Sequence, residues 1–460
     1  MNPPKPALAV AVQETRPRHL AEIAARSPRS GRLHEEARRL TPGGLSHNPR
    51  NHAPYPLYFT KGHGARIWDV DGHEFIDLWM AHYDAILGHS PPEVMKPLRE
   101  TMENGLHIGL AIEQEVELAR RICDMVPSAE RVRFCASGTE ATMYAVRLAR
   151  AFTGRNVVIK MVGGWHGANT DLMVDVFPPE YGVPEGRGLP PEIVRATRSV
   201  TYNDIEDTAR VIREAAGDLA AVIVEPALGA GGMIPAEKEY LEFLHEETRR
   251  NGAVLIFDEV ITGFRFAPGG AQEYHGITPD ITTLGKILGG GLPIGAVAGR
   301  AEILDESSIL RKVPKAQRVI IGGGTYSCNP LSMAGGIATI DALEAMEDEL
   351  YPNLERRNQT LCEGIEKAFA SQNIPVTLMA PASLHAVHFT REAGHPVRSM
   401  ADVLEHTFPE KQIELADRLR VHGVFELHAG ALSTAHSDDD IETLIAAYER
   451  CAEEMAEAGA

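Results

Sequence analysis

Cysteine is scarce and unpatterned in this chain. Its five cysteines (Cys123, Cys135, Cys328, Cys362 and Cys451) are odd in number, and no two stand in a CxxC pair. That fits free thiols in a reducing compartment better than a disulfide framework or a thiolate zinc site. Positive charge is also in deficit: 45 Lys and Arg face 64 Asp and Glu, a net charge of -19. Such a balance argues against non-specific binding to nucleic acid or to an anionic membrane. No apolar run approaches the length of a membrane span. The opening MNPPKPALAVAVQ has an apolar part too short and too proline-rich for a signal peptide. Fixed-period repeats and low-complexity tracts do not stand out either. The expectation is a soluble, cytoplasmic, globular chain with no membrane or nucleic-acid partner.

What is present is a sequence of 460 residues, 44% hydrophobic and 24% charged, enough for a large core and more than one domain. Residues 1 to 18 read as a flexible arm. From His19 to Leu40 the pattern is helical, interrupted at Ser27 to Gly31. Tyr58 to Thr60 and Ala65 to Trp68 alternate like hairpin strands, with Asp71-Gly72 as the turn. From Pro91 onward helical and strand patterns alternate as βα units. Near Pro330 the character changes to long amphipathic helices with a few strands.

The stretch from Gly252 to Pro293 organises the rest. Ala253-Val-Leu-Ile-Phe257 is an apolar run suited to a strand buried on both faces of a parallel sheet. It ends in Asp258-Glu259, which puts a carboxylate at the carboxyl end of a strand, where open α/β sheets bind ligands. Lys286 follows 28 positions later, after Ile281-Thr-Thr-Leu284 and before Gly289 to Gly291. Taken alone, this acid and lysine read either as a structural ion pair or as a pyridoxal phosphate site. In such a site the lysine forms the Schiff base and the carboxylate keeps the pyridine nitrogen protonated.

Other segments add weaker signals. Ala136-Ser-Gly-Thr-Glu-Ala-Thr142, between a short strand and a helical run, reads as plain capping or as an anion site at a helix start. Trp165, in Gly163-Gly-Trp-His-Gly167, reads as core or as a flat surface for an aromatic ligand. Glu225-Pro226 places another carboxylate at a strand end. Gly322-Gly-Gly-Thr-Tyr-Ser-Cys-Asn-Pro330 is a turn or a second phosphate loop. The glycines at 289 to 291 lack the spacing of a dinucleotide fingerprint. His436-Ser-Asp-Asp-Asp440 reads as the N-cap of the last helix in preference to a metal cluster, and no metal is expected.

Together and in this order, SGTEAT, WHG, EP, FDEV, TLGK and GGTYSCNP resemble the class III aminotransferases of fold type I, closest to the glutamate-1-semialdehyde 2,1-aminomutase subgroup. The similarity runs from about Arg38 to Glu449. It implies an α/β fold: a large domain with a mostly parallel sheet flanked by helices, plus a smaller α+β domain. The division expected is an N-terminal arm and part of the small domain in 1–70, the large cofactor domain in 71–330, and the small domain in 331–460. The resemblance also implies pyridoxal 5'-phosphate and a role for each matching residue. Lys286 would carry the cofactor and shuttle the proton, and Asp258 would pair with the ring nitrogen. Val260 and Trp165 would press on the two ring faces, and Glu225 would sit near the ring hydroxyl. Ser137, Gly138 and Thr139 would hold the phosphate. Thr325 would reach the phosphate of a neighbouring subunit, which implies an obligate homodimer with shared sites.

Substrate residues follow the subgroup less closely. Arg50 falls where the aminomutase has its carboxylate-binding arginine, and a guanidinium is the natural bidentate reader of a carboxylate. His82 replaces a tryptophan, His428 replaces a glutamate, and Asp175 to Gly182 stands where the mobile gating loop would be. An aminomutase must retain its diamine intermediate, whereas a transaminase must release a keto product. The preferred reading is therefore an aminotransferase moving an amino group between a carboxylate-bearing amino acid, β- or ω-amino acids included, and a keto acid or aldehyde. The aminomutase is the alternative. A non-catalytic effector-binding protein on the same fold is remote, because the lysine, aspartate and phosphate motifs are intact and no basic DNA-binding segment is attached.

Overall fold

The computed structural model describes residues 18–178 and 180–459; the arm expected before residue 18 lies outside the described residues. A seven-stranded sheet forms its centre. Its strands, in chain order, are β1 (Arg131–Cys135), β2 (Val157–Met161), β3 (Thr197–Val200), β4 (Leu219–Val224), β5 (Val254–Asp258), β6 (Ile281–Gly285) and β7 (Gly295–Gly299). Across the sheet they lie in the order β1-β7-β6-β5-β4-β2-β3. All neighbours pair in parallel except β7, which runs antiparallel to both β6 and β1. The carboxyl ends of β1, β2, β4, β5 and β6 therefore meet on one edge, where the polar residues of the sequence motifs fall.

Period-two geometry makes these strands apolar throughout. Leu255 and Phe257 join Val222, Val224 and Ile159 in the core on one face of the sheet. Val254 and Ile256 join Ala221, Ile223 and Val158 on the other. Successive side chains point to opposite faces, and helices cover both, so every position is buried. Helices Ile205–Ala215 and Lys238–Asn251 supply part of the first core, and Gly138–Thr153 part of the second.

Two smaller sheets draw on both ends of the chain. Phe59–His63, Arg66–Asp69 and Glu74–Asp77 pair antiparallel in sequence, and Val424–Phe425 joins Glu74–Asp77 in parallel. The hairpin expected near residue 60 is present, but Gly64 (φ 56°) lies between its two strands. Asp71-Gly72 instead turns the chain from Arg66–Asp69 into Glu74–Asp77. Val376–Met379, Leu384–Phe389 and Gly430–Ala431 form a three-stranded antiparallel sheet. The N-terminal helical run breaks at Ser27, as its proline implies, into Arg18–Arg26 and Pro28–Leu40. Ser437 caps the last helix, Asp438–Glu457, in a capping box with Asp440, whose carboxylate also pairs with Arg66.

Helix Pro330–Ala345 departs from the amphipathic pattern expected after Pro330, because it is buried on nearly all sides. It packs against the helices Pro92–Glu103 and Glu113–Met125 and against the turn that carries Lys286. Gly335 makes that approach possible: a Cβ there would stand 2.7 Å from the carbonyl oxygen of Gly289.

Candidate active site

Register brings the acid and the lysine together. Asp258, the last residue of β5, pairs with Thr283 of β6, and Lys286 begins the 3-10 turn directly after β6. Three donors hold the buried Asp258 carboxylate. Thr283 Oγ1 (2.9 Å) and Val260 N (3.2 Å) donate to Oδ1, and His166 Nδ1 lies 2.8 Å from Oδ2. Lys286 itself has φ 46°, a left-handed conformation that disfavours any residue but glycine and marks stored backbone strain. Burial lowers its pKa from the ordinary lysine value, against the carboxylates of Asp258, Glu225 and Asp84.

Glu225 follows β4, the neighbour of β5. Its Oε1 accepts from Trp165 N at 2.7 Å and its Oε2 from Gly229 N at 3.1 Å. Burial, then the negative charge of Asp258, push its carboxyl up to about 8. Ser137 N-caps helix Gly138–Thr153 after β1, its Oγ accepting from Glu140 N. Gly138 lets the helix start approach closely here, since a Cβ would come within 3.1 Å of both Val260 methyl groups. Val260 is thereby wedged beside the helix start. Trp165 is 37% exposed and tilts against Phe177 at 6.0 Å between ring centroids.

Residues 80 to 83 form the other wall and were not anticipated in this shape. Met80, Ala81, His82 and Tyr83 all have positive φ (41°, 52°, 68° and 68°), a left-handed turn built without glycine. Arg265, fully buried, holds its end by donating to Tyr83 O (2.9 Å), Ser383 Oγ (2.9 Å) and Leu432 O (3.1 Å). The turn stacks His82 on Trp79 at 4.4 Å and sets His82 Nδ1 3.4 Å from His47 Nε2. Burial, then the positive charge of Lys286, lower His82 to about 3, with His47, His428 and Arg50 adding to the effect. His428 approaches Tyr83 Oη at 3.4 Å and meets Trp79 edge-on at 5.4 Å. Arg50 is exposed at the end of a 3-10 turn, near enough to depress both His47 and His82. Thr325 is exposed and makes no side-chain hydrogen bond among the described residues.

Two further residues belong to this cluster without a role having been read from the sequence: His47 and His166. Both lie inside motifs already singled out, beside Arg50 and Trp165, and that adjacency was the available signal.

The stretches 174–178 and 180–185 are tied to each other by their own carboxylates. Asp175 Oδ1 accepts from Gly182 N (2.6 Å), while Glu185 accepts from Val176 N (2.8 Å) and Phe177 N (3.1 Å). Lys160, fully buried beneath them, donates to Val174 O at 2.7 Å.

Residues 47–435 match the class-III aminotransferase family. The chain is 40% identical over 425 residues to the glutamate-1-semialdehyde 2,1-aminomutase of Methanothermobacter thermautotrophicus, covering 92% of this chain and 98% of that protein. An omega-transaminase from Sphaerobacter thermophilus is similar in structure, with TM-score 0.84 and 32% identity over 93% of this chain and 98% of that one. A beta-phenylalanine aminotransferase from Variovorax paradoxus matches with TM-score 0.84 and 30% identity over 95% and 97%. The chain belongs to the class-III aminotransferase family. It is a pyridoxal-phosphate-dependent enzyme of fold type I, of the transaminase and aminomutase kind.

The residues present fit that cofactor. Among the described residues, the N–H groups of Gly138 and Thr139 have no acceptor in the protein, and they open a helix whose dipole favours an anion. Among the described residues, His166 Nε2 is buried without a partner and Lys286 Nζ makes no hydrogen bond. A phosphate and a carbonyl carbon supply what the helix start and Lys286 lack. No helix among the described residues is long and apolar enough to cross a membrane.

Proposed function

We propose that the enzyme is an aminotransferase whose donor is a carboxylate-bearing amino acid of the β or ω type and whose acceptor is a keto acid or aldehyde. The observation that carries this reading is the group formed by Arg50, His47 and His82 beside Lys286. Arg50 is the permanently charged member, and the two histidines are held neutral. A single guanidinium there suits one carboxylate set off from the reacting amine. The tied stretches 174–178 and 180–185 also support release of a keto product over retention behind a mobile gate.

Bound pyridoxal phosphate supplies an electron sink for the pair left when a C–H bond of the substrate ionises. In this reading Ser137, Gly138 and Thr139 hold its phosphate, with Thr325 reaching across from a second copy of the chain. Val260 and Trp165 would lie on the ring faces, and Glu225 would lie near the ring hydroxyl. Asp258 would pair with the ring nitrogen, and His166 orients its carboxylate for that contact. Lys286, lowered by burial, is available as a neutral amine to take a proton at Nζ and return it. Exposed Leu106, Ile108, Leu110, Ile309, Leu310 and Tyr326 support a homodimer, since a second copy would cover them. The domain division at about residues 70 and 330 is part of the same reading.

Intramolecular amino transfer is the second reading, favoured by 40% identity to an aminomutase. Incubating holoenzyme with single amino donors and no acceptor separates the two. A β-amino acid should yield one equivalent of keto acid per site. Turnover of glutamate 1-semialdehyde into its isomer, with no keto acid from any donor, would reverse the assignment.

A further inference from the structure

Helix Met400–His406 carries Asp402 and His406 four residues apart, and so on one face. His395, from the loop before the helix, stands against them. Its ring centroid is 4.0 Å from that of His406, with the planes inclined by 41°. One ligand atom from each of His395, Asp402 and His406 lies within 4.8 Å of the other two. Among the described residues neither imidazole is hydrogen-bonded; the charged neighbour of His406 is Glu405, 3.9 Å away. Asp402 Oδ2 is fixed by Arg398 N (2.9 Å) and Ser399 Oγ (3.0 Å), which leaves Oδ1 without a partner. The backbone under both histidines is pinned as well. Thr377 Oγ1 donates to His395 O at 3.0 Å, and Arg391 N donates to His406 O at 2.9 Å.

We infer that His395, Asp402 and His406 form a binding site for one divalent metal ion of the zinc type, with water completing the coordination. Two imidazole nitrogens and one carboxylate oxygen are the donor set that such a borderline ion takes, whereas magnesium and calcium prefer oxygen alone. Bonds of 2.0–2.2 Å in a tetrahedron set the donors about 3.3 Å apart, so rotation of three partly buried side chains closes the site.

The ion fastens the loop 391–399 to its own helix, and that segment is already docked on the loop after β3 and on the start of helix Lys238–Asn251. Asn203 Nδ2 donates to Arg398 O at 3.0 Å, and the Arg398 guanidinium grips Glu237 through two bonds of 2.6 and 2.8 Å. Met400 packs close to Gly163, where a Cβ would stand 3.2 Å from the Met400 Cβ, two residues before Trp165. Metal binding therefore stiffens a wall next to the site without touching the residues assigned to catalysis.

Chelator-treated holoenzyme, titrated with zinc alone against a chromogenic competitor, tests this directly. One ion per chain is expected, bound at least tenfold more weakly by His395→Ala and by His406→Ala. Cobalt in place of zinc should give visible d–d bands that vanish in the double variant. Far-UV circular dichroism and the cofactor absorbance verify that each variant folds, and His395→Gln and His406→Gln preserve side-chain volume should an alanine variant fail to. Two results overturn the inference: no stoichiometric binding by wild type, or binding that survives the double variant but is lost in His82→Ala. The second result would assign the ion to the histidines of the substrate pocket.

Discussion

His166 Nδ1 lies 2.8 Å from Asp258 Oδ2, joining two buried residues 92 positions apart at the carboxyl edge of the sheet. Burial lowers the histidine's pKa, against the pull of Asp258, so it serves as a neutral donor that orients the carboxylate. His166→Ala removes a hydrogen bond to a charged group worth about 1.5–3 kcal/mol. Single-turnover proton abstraction should slow roughly tenfold to hundredfold, with the cofactor retained. A rate within twofold of wild type would mean that Thr283 and the Val260 amide hold Asp258 adequately alone.

Lys286→Ala should give a folded protein with no covalently attached cofactor. Borohydride reduction of wild type followed by peptide mapping should place the label on Lys286. The competitor is Lys160, also buried and lowered to about 8 by desolvation. Its Nζ is committed to the Val174 carbonyl, so label on Lys160 would contradict the assignment.

Glu225 should leave a signature in stability. Its folded pKa, about 8, lies above the ordinary 4.5, so the native state keeps a proton that the unfolded chain releases. The contribution is fully present below about pH 4.5 and is lost as pH rises toward 8. In the apoenzyme, urea midpoints of wild type should fall relative to Glu225→Gln across that window. Parallel profiles for the two proteins would show that Glu225 ionises normally.

Arg50→Ala separates a substrate contact from a solvated loop residue. If Arg50 reads the carboxylate, kcat/KM for an amino acid should fall roughly tenfold to hundredfold, the value of a charge-assisted pair. The corresponding decarboxylated amine should lose much less. Equal losses for both substrates would shift attention to His82 and His428.

Ala81→Gly tests the left-handed turn. A left-handed L-residue costs roughly 1–2 kcal/mol, and the added backbone freedom of glycine offsets about 0.5–1 kcal/mol. Ala81 is exposed, so little packing is lost. Denaturant unfolding should show a variant as stable as wild type or more stable by up to about 1.5 kcal/mol. Clear destabilisation would show that the conformation is not strained.

Much of this molecule is written locally. The run before Asp258 is apolar at every position, which defines a strand covered on both faces and puts the acid at its end. Ser137 before a helical run is a capping signal, and Pro28 after Ser27 breaks the first helix where it should. Such features depend on neighbours within a turn or a strand, so the one-dimensional order contains them. The tertiary structure alone decided the rest. His166, in the loop after β2, reaches Asp258 because only β4 separates β2 from β5 in the sheet, an order of strands that no periodicity records. Helix Pro330–Ala345 is buried on nearly all sides because Gly335 lets it close on the Lys286 turn, against the amphipathic character expected there. The turn at 80–83 is left-handed without a glycine to announce it, because Arg265, 182 positions away, binds the carbonyl of Tyr83. Contacts of that reach depend on sheet order and on which faces pack, and only the folded chain sets those.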